Sequence, residues 1–226
     1  MFRVLVAAAF LLMTPGLARA AGPVDLALVL AVDSSSSVDY GEFSLQMRGL
    51  AKAFRDESVQ NAIELAAPNG MAVTLVLWSG SGEQRQAFAW TTAYGPAGAE
   101  QVAELIDRTP RLISGGGTAI NDAIDFSIHL LLSGGVVATR RVIDVSGDGR
   151  NNMGAFGVPA TLRAVAAGIT VNGLAILNED PLLDFYYQVN VIGGASAFML
   201  VADDYEDFAE AIRVKLISEI IGAPMS

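Results

Sequence analysis

The 226-residue sequence predicts an α/β fold: a doubly wound, mostly parallel six-stranded sheet with one antiparallel edge strand and helices on both faces. Three observations predict it. Residues Val24 to Val32 are almost continuously apolar, as a central parallel strand covered on both faces must be. Short apolar runs then alternate along the chain with segments whose apolar residues recur at helical spacing. No internal repeat, low-complexity tract or linker interrupts the alternation, which favours one α/β domain over residues 21–226.

The first strand ends at Asp33, where a serine-rich loop begins. Asp39 with Glu42 three residues later forms a capping-box signature, and Phe43, Met47, Leu50 and Phe54 line one face of the helix that follows. Met71 to Trp78 is a second apolar strand. The turn Ser79-Gly80-Ser81-Gly82 leads from it into residues 86–91, the expected antiparallel edge strand. Ala99 to Asp107 is a short helix, and the glycine-rich loop 114–118 enters another, 119–132, with Ile120, Ile124, Ile128 and Leu131 on its apolar face. Residues 140–145 form a strand ending in the polar loop Ser146 to Asn152. Pro159 opens a helix, residues 169–177 are a strand, 182–189 a short helix and 197–201 a last strand. Asp203 and Glu206 cap the final helix, whose apolar face holds Tyr205, Phe208, Ile212, Leu216 and Ile220.

Residues 1–20 have the form of a signal peptide: Arg3, an apolar run of about ten residues, and Ala18-Arg19-Ala20 as a cleavage pattern, with cutting after Ala20. The run is well short of the roughly 20 residues that span a bilayer, so export to the periplasm or the medium is expected, without stable membrane insertion afterwards. Losing Arg3 and Arg19 takes the 14 basic residues to 12 against 24 acidic ones, a mature net charge of −12. A chain so acidic, with no Lys/Arg stripe, is unsuited to nucleic acid or an anionic bilayer. It has no cysteine, hence no disulfide framework, thiolate metal site or thiol nucleophile.

The residues that carry chemistry lie at the ends of the predicted strands, where ligands bind to open α/β sheets. Asp33, Ser35 and Ser37 place a carboxylate and two hydroxyls at alternate positions, which in an extended segment share one side. A hard divalent cation wants such oxygen donors, about six at roughly 2.1 Å for Mg²⁺. Thr118, after three glycines at a loop-to-helix junction, and Asp148, at the tip of a later central strand, are two further oxygen donors.

With D-x-S-x-S at residues 33–37, Thr118 and Asp148-Gly149 in this order, the mature chain resembles the von Willebrand factor A family and its metal-ion-dependent adhesion site. The resemblance covers residues 25–221. It is especially close to a bacterial exported group without an assigned function. It implies that Ser35, Ser37 and Thr118 offer hydroxyls to Mg²⁺ (or Mn²⁺ or Ca²⁺), with Asp33 and Asp148 acting directly or through water. It also implies that a partner's carboxylate completes the shell. Ser146-Gly147 precedes Asp148 where many members carry a Thr directly before the Asp-Gly.

The expectation is therefore an exported metal-dependent protein-binding module for a protein or peptide presenting an acidic residue, and not an enzyme. A metal-dependent hydrolase needs a general base beside the ion, for which the sequence offers only Asp122 or Asp39. A structural domain with an empty site is the third reading. There is no G-x-S-x-G elbow, and Ser35 stands where an aspartyl phosphatase would want its second acid. His129, the only histidine, is expected to be an ordinary helix residue, and Trp78 and Trp90 to pack between neighbouring strands. Asp144 is expected to be buried and paired with Arg141 or a backbone donor. The last helix, by the same resemblance, is a candidate for motion coupled to the metal site.

Overall fold

The structure, a computed structural model, describes residues 22–113, 115–155 and 159–222. The expected signal peptide lies outside them. The central strand β1 (Val24–Asp33) alternates large and small apolar residues, and the pleat sends them to opposite faces. Leu26, Leu28 and Leu30 enter one core and Ala27, Val29 and Ala31 the other, both fully buried. Beside β1 lie β2 (Met71–Trp78) and β4 (Ala138–Gly147), both parallel to it. Antiparallel β3 (Gln84–Ala93) borders β2, and β5 (Thr170–Ile176) and β6 (Met199–Ala202) extend the parallel side. The order β3-β2-β1-β4-β5-β6 is the six-stranded sheet with one antiparallel edge that the sequence predicts.

Helices α1 (Tyr40–Arg55), α2 (Glu57–Ala66), α3 (Gly95–Asp107) and α7 (Phe208–Ile221) cover the leucine face of β1. The alanine face is covered by α4 (Ile120–Ser133), α5 (Ala160–Ala166) and α6 (Leu183–Asn190). The capping box of α1 is complete: Asp39 Oδ1 accepts from Glu42 N at 2.8 Å and Glu42 Oε2 accepts from Asp39 N at 2.7 Å. Trp78 is fully buried on the α4 face, Trp90 packs against the same core, and His129 lies exposed on α4.

Three expectations need correction. Helix α2 occupies a segment for which the sequence reading assigned no element; Asp56 caps it by accepting from Ser58 N, and Val59, Ala62 and Ile63 form its short buried stripe. The last helix begins at Phe208, not at Asp203. The Asp204 carboxylate accepts from the amides of Glu206 and Asp207, holding residues 203–207 in turns that carry Tyr205 toward the sheet. Asp144 does not pair with Arg141: three residues apart on β4, the two side chains leave opposite faces of the strand. Asp144 instead meets Lys215 of α7 at 2.6 Å.

Candidate metal centre

The strand order reverses at β1, whose chain successor β2 lies on one side and whose other neighbour, β4, comes much later. Loops leaving β1 and β4 therefore diverge at their carboxyl ends and leave a crevice between them. Val32 is level with Ser146, which sets Asp33 beside Gly147. That glycine is required: a Cβ there would lie 2.8 Å from Asp33 Oδ2 and 3.0 Å from the Tyr187 hydroxyl.

After Asp33 the chain turns and does not stay extended as the spacing argument assumed. Asp33 Oδ1 accepts from Ser35 N at 2.7 Å, an Asx-type turn that folds the serines back. Ser35 Oγ and Ser37 Oγ stand 3.1 Å apart, and Ser37 Oγ donates to Asp148 Oδ1 at 2.8 Å. Four of the five predicted residues are thus connected through polar contacts. The fifth, Thr118, lies against the same loop: a Cβ on Gly149 would be 3.3 Å from Thr118 Oγ1.

The loops are braced from behind by groups to which the sequence reading gave no role at the site. Arg111 donates to the carbonyls of Ser34, Ser35 and Val38 at 3.3, 3.1 and 2.6 Å, and its guanidinium lies over the rings of Tyr40 and Phe43. Ser34 Oγ donates to Ile113 O, and Ser36 N to Gly116 O, tying the serine loop to the glycine loop. Asn152 accepts from Thr118 N at 2.8 Å through its side chain and donates to Thr118 O at 2.9 Å through its backbone, which ties the Asp148 loop to Thr118. Tyr205 donates its hydroxyl to Asp148 Oδ2 at 3.0 Å. Asn152 reads in the sequence as part of the polar loop after Asp148, and Tyr205 as part of the last helix's apolar face. Arg111 and Tyr205 act across long sequence separations that no local pattern reveals.

Asp33 and Asp148 are both fully buried, and Asp33 Oδ2 has no hydrogen-bond partner. Burial, reinforced by the neighbouring Asp148, pushes the Asp33 carboxyl up from 3.8 to about 8, against the donors from the Ser35 and Ser34 amides. Burial and the same two carboxylates also raise the Tyr187 phenol, whose hydroxyl has no partner either. Two buried carboxylates and three hydroxyls suit a hard cation, which would offset the charge and give the orphaned oxygen a partner. Among the described residues no cluster of three His, Cys, Asp or Glu side chains suits a metal, so such an ion would depend on the hydroxyls.

This electrostatic strain has a measurable consequence. A carboxyl whose folded pKa exceeds its unfolded one contributes stability that is lost as pH rises through the folded value. Thermal scans in chelator are expected to show a falling midpoint between about pH 4 and about pH 8, at up to about 1.4 kcal/mol per pH unit. Added Mg²⁺ should remove most of that fall, because the ion needs the ionised form. A midpoint independent of both pH and Mg²⁺ over this window would contradict the charge assignment.

Solved structures resemble this fold at low identity. Proximal thread matrix protein 1 from the mussel byssus, in a structure with a zinc-occupied MIDAS motif, aligns with a TM-score of 0.57 and 16% identity over 88% of this chain and 48% of its own. The vWF domain of the type V pili tip protein Mfa5 from Porphyromonas gingivalis gives 0.61 and 10% over 91% and 98%. The pilus adhesin SpaC from Lactobacillus rhamnosus GG gives 0.62 and 15% over 87% of this chain and 30% of its own. The chain thus spans about half the mussel protein and less of SpaC, and the likeness establishes a von Willebrand factor A-like fold. None of the curated proteins matches by sequence. A family model does match, over residues 23–224, and the chain belongs to the family it describes, protein of unknown function DUF1194.

Proposed function

We propose that the chain is an exported metal-dependent binding module. It engages a carboxylate of a protein or peptide partner through a Mg²⁺-type ion held by Asp33, Ser35, Ser37, Thr118 and Asp148. The observation that carries this reading is the chain of polar contacts from Asp33 through Ser35 and Ser37 to Asp148, with Thr118 against the same loop and one buried Asp33 oxygen without a partner. When bound, the ion supplies a Lewis-acidic position for an anionic oxygen. Asp33 and Asp148 offset its charge, and the braces from Arg111 and Asn152 hold the hydroxyl loops in place before binding, which lowers the ordering cost. A charge-assisted contact at the ion operates locally even though the chain's net charge of −10 repels acidic partners at long range.

The neighbouring folds support the reading: one is described with a metal in this motif and others as a pilus adhesin and a pilus tip protein. Among the described residues no helix is long and apolar enough to cross a membrane. The two bases the sequence offers for the hydrolase alternative are both engaged in structural hydrogen bonds. Asp122 accepts from Ser81 Oγ and Ala155 N, and Asp39 is committed to the capping box of α1.

Titration calorimetry with Mg²⁺ and Mn²⁺ tests the site. The wild type is expected to bind one ion, and Thr118→Ala to bind it at least about tenfold more weakly, the lower end of what even outer-shell changes cost. Equal heats from the two proteins would remove the basis for the proposal. Capture of envelope proteins that is lost in chelator and competed by a carboxylate-bearing peptide would then identify the partner class.

A further inference from the structure

A second buried polar cluster lies beneath α7, on the opposite side of β4 from Ile143 and Val145, and plays no part in the metal site. Lys215 is fully buried. Its Nζ is 2.6 Å from Asp144 Oδ1 and 2.6 Å from Glu219 Oε1. Glu219 is oriented by Asn172, whose Nδ2 donates to the same Oε1 at 3.0 Å. The amine makes a hydrogen bond to Glu219 but lies out of line with Asp144, neither of whose oxygens has a hydrogen-bond partner. The ring of Phe198 lies 5.7 Å from Nζ and screens it from water. The other cation on this face, Arg140, is engaged with the carbonyls of Glu219 and Ile220.

Two carboxyls share one amine here in an apolar setting. An amine touching a carboxyl, with a second acid in reach to move protons, is the reactant arrangement for an amide. We propose that Lys215 and Asp144 become joined by an intramolecular isopeptide bond, with Glu219 as the proton-transfer group.

The step balances without a further reactant. Lys215 Nζ bonds to Asp144 Cγ, and Glu219 carries the protons that the nitrogen gives up to one Asp144 oxygen until that oxygen can leave as water. The Cγ–O bond breaks, one water leaves, and Glu219 regains its starting protonation. A cavity of about 230 Å³ lined by Glu219, Asn172 and Phe198 receives the water. The product ties the central strand β4 to α7 and leaves no ammonium in the core. This inference does not depend on the metal reading.

Mass spectrometry of the full chain in denaturant, with its N-terminus determined by sequencing, tests it directly. The expected mass is that of the sequence less one water. Trypsin should release a branched peptide joining residues 142–150 to residues 214–226, because an acylated Lys215 is no longer cut. Glu219→Gln keeps the shape and removes the proton carrier, and should restore the full mass with cleavage after residue 215. A wild-type chain at full mass with two separate peptides overturns the proposal whether or not the variant folds. A water loss mapped to Lys215 and Glu219 within one peptide overturns it equally.

Discussion

Asp33→Asn is expected to abolish detectable Mg²⁺ binding while leaving the metal-free protein at least as stable as the wild type above about pH 8. Outer-shell changes alone cost about 10–100-fold in metal affinity, and this substitution removes a buried charged oxygen at the centre of the set. The stability expectation has the opposite sign to that for most buried substitutions. Ionised Asp33 is buried beside Asp148 with one oxygen unpartnered, so a neutral side chain of equal size relieves a charge the apo fold tolerates poorly. Thermal unfolding with and without metal separates the two effects. At an Mg²⁺ concentration about 100 times its Kd the wild type should gain about 2.7 kcal/mol, and the variant nothing. A variant that still gains stability from the ion, or that unfolds well below the wild type in chelator at high pH, contradicts the role given to Asp33.

Lys215→Met carries the second large effect, a loss of about 3–5 kcal/mol from a total that for such domains is about 5–15. Methionine fills similar volume, so the loss comes from the two acids, Asp144 and Glu219, which remain buried with no amine bonded to either. Burial and the Asp144 charge already hold the Glu219 carboxyl up at about 7, even with Lys215 in place. Loss of a covalent cross-link acts in the same direction. Urea unfolding reads the change as a lower midpoint at constant slope. Replacing all three groups by apolar residues should recover much of the loss, because buried ionic groups seldom surpass well-packed hydrocarbon. An unchanged midpoint for Lys215→Met would show that the cluster contributes nothing to folding.

The sheet was legible in the sequence because its strands are buried on both faces and announce themselves as unbroken apolar runs, as β1 and β2 do. Ends were less so. Helix α2 buries only three residues, Val59, Ala62 and Ile63, a stripe too short to stand out from the helix before it. Asp203 with Glu206 three residues on has the form of a helix cap, but the turn around the Asp204 carboxylate takes up residues 203–207 and the helix starts only at Phe208. At the candidate site the five oxygen-bearing residues named from the sequence come to one crevice, since each sits at a strand end or loop junction that topology fixes. The side chains that position them, Arg111 and Tyr205, lie far from their partners along the chain, so Tyr205 shows in the pattern only as part of an apolar helix face and Arg111 not at all. Strand parity alone would have excluded Arg141 as the partner of Asp144, but nothing local could have nominated Lys215 on the last helix.

Three tethers at the last helix lead to the same strand. Tyr205, just before the helix, holds Asp148 at the end of β4; Lys215, midway, meets Asp144; and Arg140, near the start of β4, grips the carbonyls of Glu219 and Ile220. A tensile load applied beyond Gly222 therefore enters the middle of the sheet along β4, where hydrogen-bonded neighbours share it on both sides, before it can peel the helix away. The load path ends at the loop that carries Asp148, so a pull on one end of the chain and a partner gripping the crevice strain a common element.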